Sequence, residues 1–302
     1  MSEATANMLP DGIRLHLNHG PIDLVIEAQG ADKAICSAYD AATRSFAGVL
    51  VGLVSELPYL RTEIPREGFP LVGTVARQMA AAVQPQWRSR VTPMAAVAGA
   101  VADYVLQAMV QEAPLRRAYV NNGGDIAVHL VGDEVFTIAS PGGTIVIHGG
   151  DQVRGIATSG WSGRSFSLGI ADSVTVLART AAQADVAATL IGNAVDLPGS
   201  PKVKRQRANE IAPDNDLQDR LVTVGVDQLT DDETADALSR GLSEAERFVH
   251  AGQIEAASLM LGKRIFSTSA IMSLQGRAAH RRSHLGRGTE QRMHRMMNVS
   301  VA

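Results

Sequence analysis

Residues 120–128 read V-N-N-G-G-D-I-A-V, and the way the chain passes through the two glycines decides how its strands are joined. A Gly pair flanked by apolar runs is a hairpin signal, because a two-residue turn needs positive φ at its centre and only Gly adopts it freely. The pattern predicts strands over Arg117–Val120 and Ile126–Leu130, connected directly. Working outward, residues 119–160 form a series of short β-type runs, A-Y-V, I-A-V-H-L, V-F-T-I, T-I-V-I-H and G-I-A-T-S-G, separated by Gly, Asn and Asp turns. Turns of hairpin length, and no helices, join these runs, which predicts antiparallel sheet backed by helices and an α+β fold class. The same loop can also hold a ligand. The amides of Asn121 and Asn122 donate and accept, Asp125 accepts when ionised, and Gly123 and Gly124 let the backbone approach closely.

The flanks supply the helices. Ile13–Ile26 alternates around His19-Gly20-Pro21 and reads as another hairpin. From Asp32 to Leu57 apolar residues recur at three-and-four spacing, which predicts one long helix stopped by Pro58. Arg61–Gly73, rich in Pro and Gly, is a connector, and Thr74–Val83 a short helix. Pro93 opens M-A-A-V-A-G-A-V-A-D-Y-V-L-Q-A-M-V, a helix whose small side chains allow close packing. Ser173–Leu177 is a strand, and Thr180 caps a helix reaching about Val195. A polar linker, Pro198–Asp219, precedes the strand L-V-T-V-G-V and a helix over Asp231–Gly252.

With 302 residues, 45% of them hydrophobic, the chain can bury a large core, and residues 1–274 are expected to form one domain of two intertwined lobes. The start, M-S-E-A-T-A-N-M-L-P-D-G, has no basic segment followed by an apolar one, and no run of uninterrupted apolar residues reaches spanning length. The expectation is a cytoplasmic address and no membrane partner. Cys36 is the single cysteine, so an intramolecular disulfide and a cysteine zinc cage are excluded; its helical surroundings suggest a buried small hydrophobe. The net charge of −3 is unevenly spread, because residues 275–302 hold six Arg against one Glu. That tail carries +5 and the body −8, which argues against nucleic-acid binding by the body. The tail lacks an apolar period and is expected to be a disordered extension.

Three segments carry candidate chemistry: the N-N-G-G-D loop, Thr158-Ser159-Gly160, and A-D-V-A-A-T at 184–189. Asp185 and Thr189 are four apart on a predicted helix and point from one face to one spot. A carboxylate and a hydroxyl there suit a hard cation such as Mg²⁺ or Ca²⁺, although the spacing by itself is common for a polar pair on a solvated helix face. Hydroxyls and amides at a T-S-G strand end can bind phosphate or simply make a turn. Arg88, Arg90, Arg154 and Arg164 remain as possible anion grips, with Arg164, in G-W-S-G-R-S, ranked first. His129 and His148 form no metal set and read as satisfied strand histidines.

In their order, N-N-G-G-D, T-S-G and S-V-T-V-L-A-R-T-A-A-Q-A-D-V-A-A-T-L resemble the ApbE-like superfamily, whose named enzymes are FAD:protein FMN transferases. The resemblance covers roughly Arg88–Val195 and implies the family's two-lobed architecture, with FAD or FMN and Mg²⁺ as cofactors and a phosphate-bearing small molecule as ligand. It implies metal positions at Asp185 and Thr189. The flavin-nucleotide pocket would be lined by Asn121, Asn122, Gly123, Gly124, Asp125, Thr158, Ser159 and Gly160. Two family elements are missing. Where the transferases carry G-x-x-K-G-Y-A-V-D this chain reads A-A-V-A-G-A-V-A-D, and where they carry H-I-x-D-P-x-T-G it reads R-S-F-S-L-G-I-A-D-S-V-T-V. The chain looks more like a shorter branch of the superfamily than a working flavin transferase. Two function classes stay open: a metal-assisted flavin or nucleotide-phosphate site, or a non-catalytic binding module or enzyme of an unrelated small metabolite.

Overall fold

The computed structural model describes residues 3–140, 142–269 and 271; the basic tail from Gln275 onward lies outside them. Strands β1 (Thr5–Met8), β2 (Leu15–His19) and β3 (Ile22–Gln29) open the chain. The strict alternation of buried and half-buried residues along β3 is the period of two read from I-D-L-V-I. The expected single helix over Asp32–Leu57 is instead three: α1 (Asp32–Phe46), α2 (Val49–Ser55) and α3 (Leu57–Leu60). The first break falls at Ala47-Gly48, where Gly has the most backbone freedom to lose. Pro58 does not stop the run but sits in the first turn of α3, where its missing N–H is no loss. Cys36 is exposed, not buried: the inward face of α1 is Ala38, Ala41, Ala42 and Phe46, and Cys36 points the other way.

Helix α4 (Thr74–Val83) matches expectation. The Pro93 helix begins as a 3₁₀ turn over Pro93–Ala96 and becomes α5 (Val97–Glu112). Pro93–Glu112 is long and apolar enough to cross a membrane; here Ala100, Val101, Ala102, Val105 and Met109 are fully buried in the main core. The Gly-Gly hairpin follows as β4 (Arg117–Asn122) and β5 (Asp125–Leu130), with Gly123 at φ +64° and Gly124 at φ +112°. Both need the freedom of Gly. Next come β6 (Val135–Ser140), β7 (Gly143–His148), β8 (Gly155–Ser159) and β9 (Ser173–Ala178). Helix α6 (Ala181–Ala194) starts at Thr180, whose hydroxyl accepts the Gln183 N–H.

The linker is more ordered than its polarity suggests. It contains β10 (Val203–Arg207), which pairs with β11 (Leu221–Val226) across the one-turn helix α7 (Ala208–Ile211). V-K-R-Q-R has no apolar alternation to betray a strand; Lys204 pairs with Asp227, and Arg205 with Asp196 and the Leu168 carbonyl. Helix α8 (Asp231–His250), opened by a Thr230/Glu233 capping box, and the hairpin β12 (Ala256–Leu261), β13 (Arg264–Ser267) follow.

Among the described residues nine strands form one sheet, ordered β1-β2-β3-β4-β5-β8-β9-β12-β13, and every neighbouring pair is antiparallel. The α+β expectation holds. Helices α1, α4, α5 and α6 cover one face together with Leu24, Val120 and Ala127. The β6–β7 ribbon covers Tyr119, Val128 and Ile156 on the other. Burial on both faces explains why A-Y-V and I-A-V-H-L read as continuous apolar runs.

Candidate functional site

Two cavities meet where the ends of β5 and β8 face α6. The larger, of about 680 Å³, reaches toward β6 and includes Gly123, Ser140, Thr158, Gly160 and Thr175. The smaller, of about 290 Å³, reaches toward the 3₁₀ turn and the β10–β11 connection and includes Thr92, Ala98, Asn193, Asp216 and Arg220. Asp125, Ser159, Arg164, Ser165, Asp185 and Thr189 line both. The site is thus a junction with oxygen donors at its centre.

The local folding explains this convergence. Asn122 and Asp125 are cross-strand partners at the end of the hairpin, so their side chains share a face. Asn122 spends its amide on the Ala98 carbonyl, 3.1 Å, at the start of α5. Asn121 Oδ1 accepts the Gly124 N–H at 2.9 Å and so holds the turn closed. Neither amide lines either of these two cavities, and neither does Gly124. Of the five loop residues expected to line the pocket, Gly123 and Asp125 do. Thr158, Ser159 and Gly160 all line the larger cavity, with Thr158 Oγ1 3.1 Å from Thr175 Oγ1. A side chain at Gly160 would place its Cβ 2.2 Å from the Asp172 carbonyl oxygen, so this strand end requires Gly. Asp185 and Thr189 face the junction together, as their spacing on the helix requires.

The electrostatics are unusual. Asp125 is held well above the ordinary carboxylate range, first by its removal from water and then by repulsion from Asp185, against which the Thr158 N–H helps it only partly. Asp185 is pushed up to about 7, chiefly by burial, although the Gly99 and Ala98 N–H groups favour its charged form; Asp103 adds repulsion. Among the described residues no Lys or Arg forms an ion pair with either of these aspartates. A cation between them would remove both the repulsion and the desolvation penalty. Two carboxylates and a hydroxyl are hard oxygen donors, the set that Mg²⁺ or Ca²⁺ prefers over softer metals.

The four arginines separate clearly. Arg154 is structural, donating to the carbonyls of Gly149, Asp151 and Val153. Arg88 stacks on Trp87, and Arg90, on the rim of the smaller cavity, pairs with Glu63. Arg164 lines both cavities, lies against Gly123 and donates to the Pro21 carbonyl at 3.3 Å. His129 is satisfied by the Leu115 carbonyl, 3.1 Å. Sequence reasoning missed Thr92, Asp216 and Arg220. Asp216 accepts from Thr92 at 2.5 Å and Arg220 donates to the Arg90 carbonyl at 2.9 Å, so a stretch read as linker closes one wall.

The family described as "AbpE bacteria" matches residues 6–271. The chain belongs to this family. The ApbE-like resemblance read from three motifs therefore extends over residues 6–271. Among curated relatives, a UPF0280 protein of Methanothrix thermoacetophila is 44% identical over 120 residues, 37% of this chain and 49% of that protein. A UPF0280 protein of Archaeoglobus fulgidus is 36% identical over 115 residues, 38% of this chain and 49% of the relative. The chain thus spans about half the length of the curated relatives it matches. The apo flavinyl transferase ApbE of Pseudomonas stutzeri shares the fold, with a TM-score of 0.53 at 13% identity, covering 91% of this chain and 99% of that one.

Proposed function

We propose that this protein binds a flavin nucleotide, or a closely similar phosphate-bearing nucleotide, through a divalent cation held by Asp185, Thr189 and Asp125, and that it does not transfer FMN to proteins efficiently. The observation that carries the reading is the paired carboxylates at the junction of two cavities, repelling each other, with no Lys or Arg among the described residues in an ion pair with either. A bound Mg²⁺ would supply a positive centre for phosphate oxygens. Arg164, shared by both cavities, is the cationic side chain placed to grip a second phosphate oxygen, and Gly123 lets a ligand approach the turn backbone. Ser159 and Thr158 add hydroxyl-bearing side chains to the lining of the larger cavity. The solved flavinyl transferase with the same fold supports a flavin as the ligand class.

The doubt about transfer rests on what this chain lacks. Ala98 stands at the Lys position of the family's helix pattern, and residues 164–172 contain neither the His nor the Pro of the missing segment. A positioned acid or base contributes about 10²–10⁴-fold to a rate. Binding survives such a loss, because ground-state contacts to phosphate do not depend on that proton transfer. Incubation with FAD, Mg²⁺ and a flavin-acceptor protein, followed by mass spectrometry, tests this: the expected result is flavin retained by the protein and no acceptor heavier by one FMN. Multiple-turnover labelling would refute it and restore the transferase reading.

A further inference from the structure

Asp103 lines neither cavity, yet it is a carboxylate placed in the middle of the apolar helix α5. Its two oxygens each accept a backbone N–H from the start of α6: Oδ1 from Ala181 at 3.0 Å and Oδ2 from Ala182 at 2.9 Å. Thr180 Oγ1 takes the third amide, that of Gln183. One turn further along α6, Asp185 returns the arrangement, its Oδ2 accepting the Gly99 N–H near the start of α5 at 3.0 Å. The two helices run antiparallel and touch backbone to backbone where Gly99 meets Ala181. Each helix start is therefore held by a carboxylate from the other.

We propose that Asp103 is a positioning residue for the cation site: its two-pronged hold on Ala181 and Ala182 fixes the rotation of α6 about its axis, and so aims Asp185 and Thr189 at Asp125. The inference rests on the cation reading above. A single-acceptor cap would satisfy one amide, whereas two acceptors on adjacent amides add a second constraint on the height and azimuth of a helix already packed on its buried face. Asparagine at this position offers one acceptor and sets an NH₂ group against the second N–H. Cation coordination is sensitive to such rotation, because Asp185 and Thr189 must present their oxygens to the same point.

The test uses Mn²⁺ alone, followed by electron paramagnetic resonance, on the full-length parent, Asp103→Asn and Val105→Ala. Val105 is a fully buried core residue of the same helix and touches neither cavity; its truncation lowers stability without changing the hold on α6. The expected result is Mn²⁺ affinity at least tenfold weaker in Asp103→Asn and unchanged in Val105→Ala, with metal-free melting temperatures lowered in both. If Asp103→Asn melts lower but binds Mn²⁺ as the parent does, or if Val105→Ala loses affinity equally, Asp103 is merely structural and the inference fails. Should Asp103→Asn not fold, Asp103→Glu, which keeps two acceptors on a longer arm, replaces it with the same expectation of weakened affinity. A folded parent that binds no Mn²⁺ refutes the cation reading itself, a result distinct from a parent that binds and a variant that matches it.

Discussion

Replacing Gly99 with Ala is expected to unfold the protein at a distinctly lower temperature, although in an isolated helix the same change is stabilising. A Cβ at Gly99 would sit 2.3 Å from the Ala181 carbonyl oxygen, 2.4 Å from its carbon and 2.6 Å from the Ala182 nitrogen. Ordinary contacts between heavy atoms are about 3.5–4.0 Å, so α5 and α6 must separate by roughly 1 Å. The obstructing atoms are backbone, which no rotamer change can move aside. Overpacking of this kind costs about 1–3 kcal/mol. The separation also stretches the charge-assisted bond from the Gly99 N–H to Asp185, whose loss costs a further 1.5–3 kcal/mol or so. Helix propensity returns only about 1 kcal/mol. The net loss is about 3 kcal/mol, a lowering of Tm by roughly 5–10 °C for a chain of this size. Gly48→Ala is the control, since a Cβ there meets nothing within 4 Å. Calorimetric melting of both variants decides the matter. A Gly99→Ala protein that melts with the parent would show that the two helices do not cross backbone to backbone, and the account of how Asp185 is placed would fall with it.

Further outcomes follow from the same geometry. In the metal-free protein, stability should fall as pH rises from about 4 to about 7. Asp103 and Asp185 are raised to about 6 and about 7, so the folded state binds protons that the unfolded state has released, and loses that advantage as they ionise. Added Mg²⁺ should reverse the trend near neutrality by favouring the ionised pair; a pH series of melting curves in which Mg²⁺ makes no difference would contradict this. Cys36, being exposed on α1, should react promptly with a thiol reagent in the native protein, and protection until unfolding would show the helix turned the other way.

Much of the fold is written locally. The hairpins at Gly20 and at Gly123-Gly124, the capped start of α6 and the span of α4 follow from turn chemistry, capping and period, and the structure reproduces them within three residues. What escaped has tertiary causes. Strand β10 is stabilised by ion pairs to distant residues, so nothing in V-K-R-Q-R announces it. The break at Ala47-Gly48 lies in a pattern whose apolar period continues across it, so periodicity alone does not show that the chain divides at Gly48. At the site, the i, i+4 spacing of Asp185 and Thr189 was readable, as was the clustering of T-S-G. Their convergence with Asp125 was carried by the family resemblance. The internal use of Asn121 and Asn122 was not readable, because an amide that holds its own turn and one that holds a ligand look alike in sequence. Asp103 left a signal of its own, a lone carboxylate among small apolar residues, but its partners lie on another helix.

The central claim is that ligand and cation bind together at the junction of Asp125, Asp185 and Thr189. Isothermal titration of FAD into the parent and into Asp185→Asn, each with Mg²⁺ and with a chelator, tests it directly. The account predicts saturable binding by the parent that needs Mg²⁺ and is abolished in the variant, while the variant's melting temperature shows it folded. FAD bound equally well in the presence of the chelator, or by Asp185→Asn as by the parent, would contradict it.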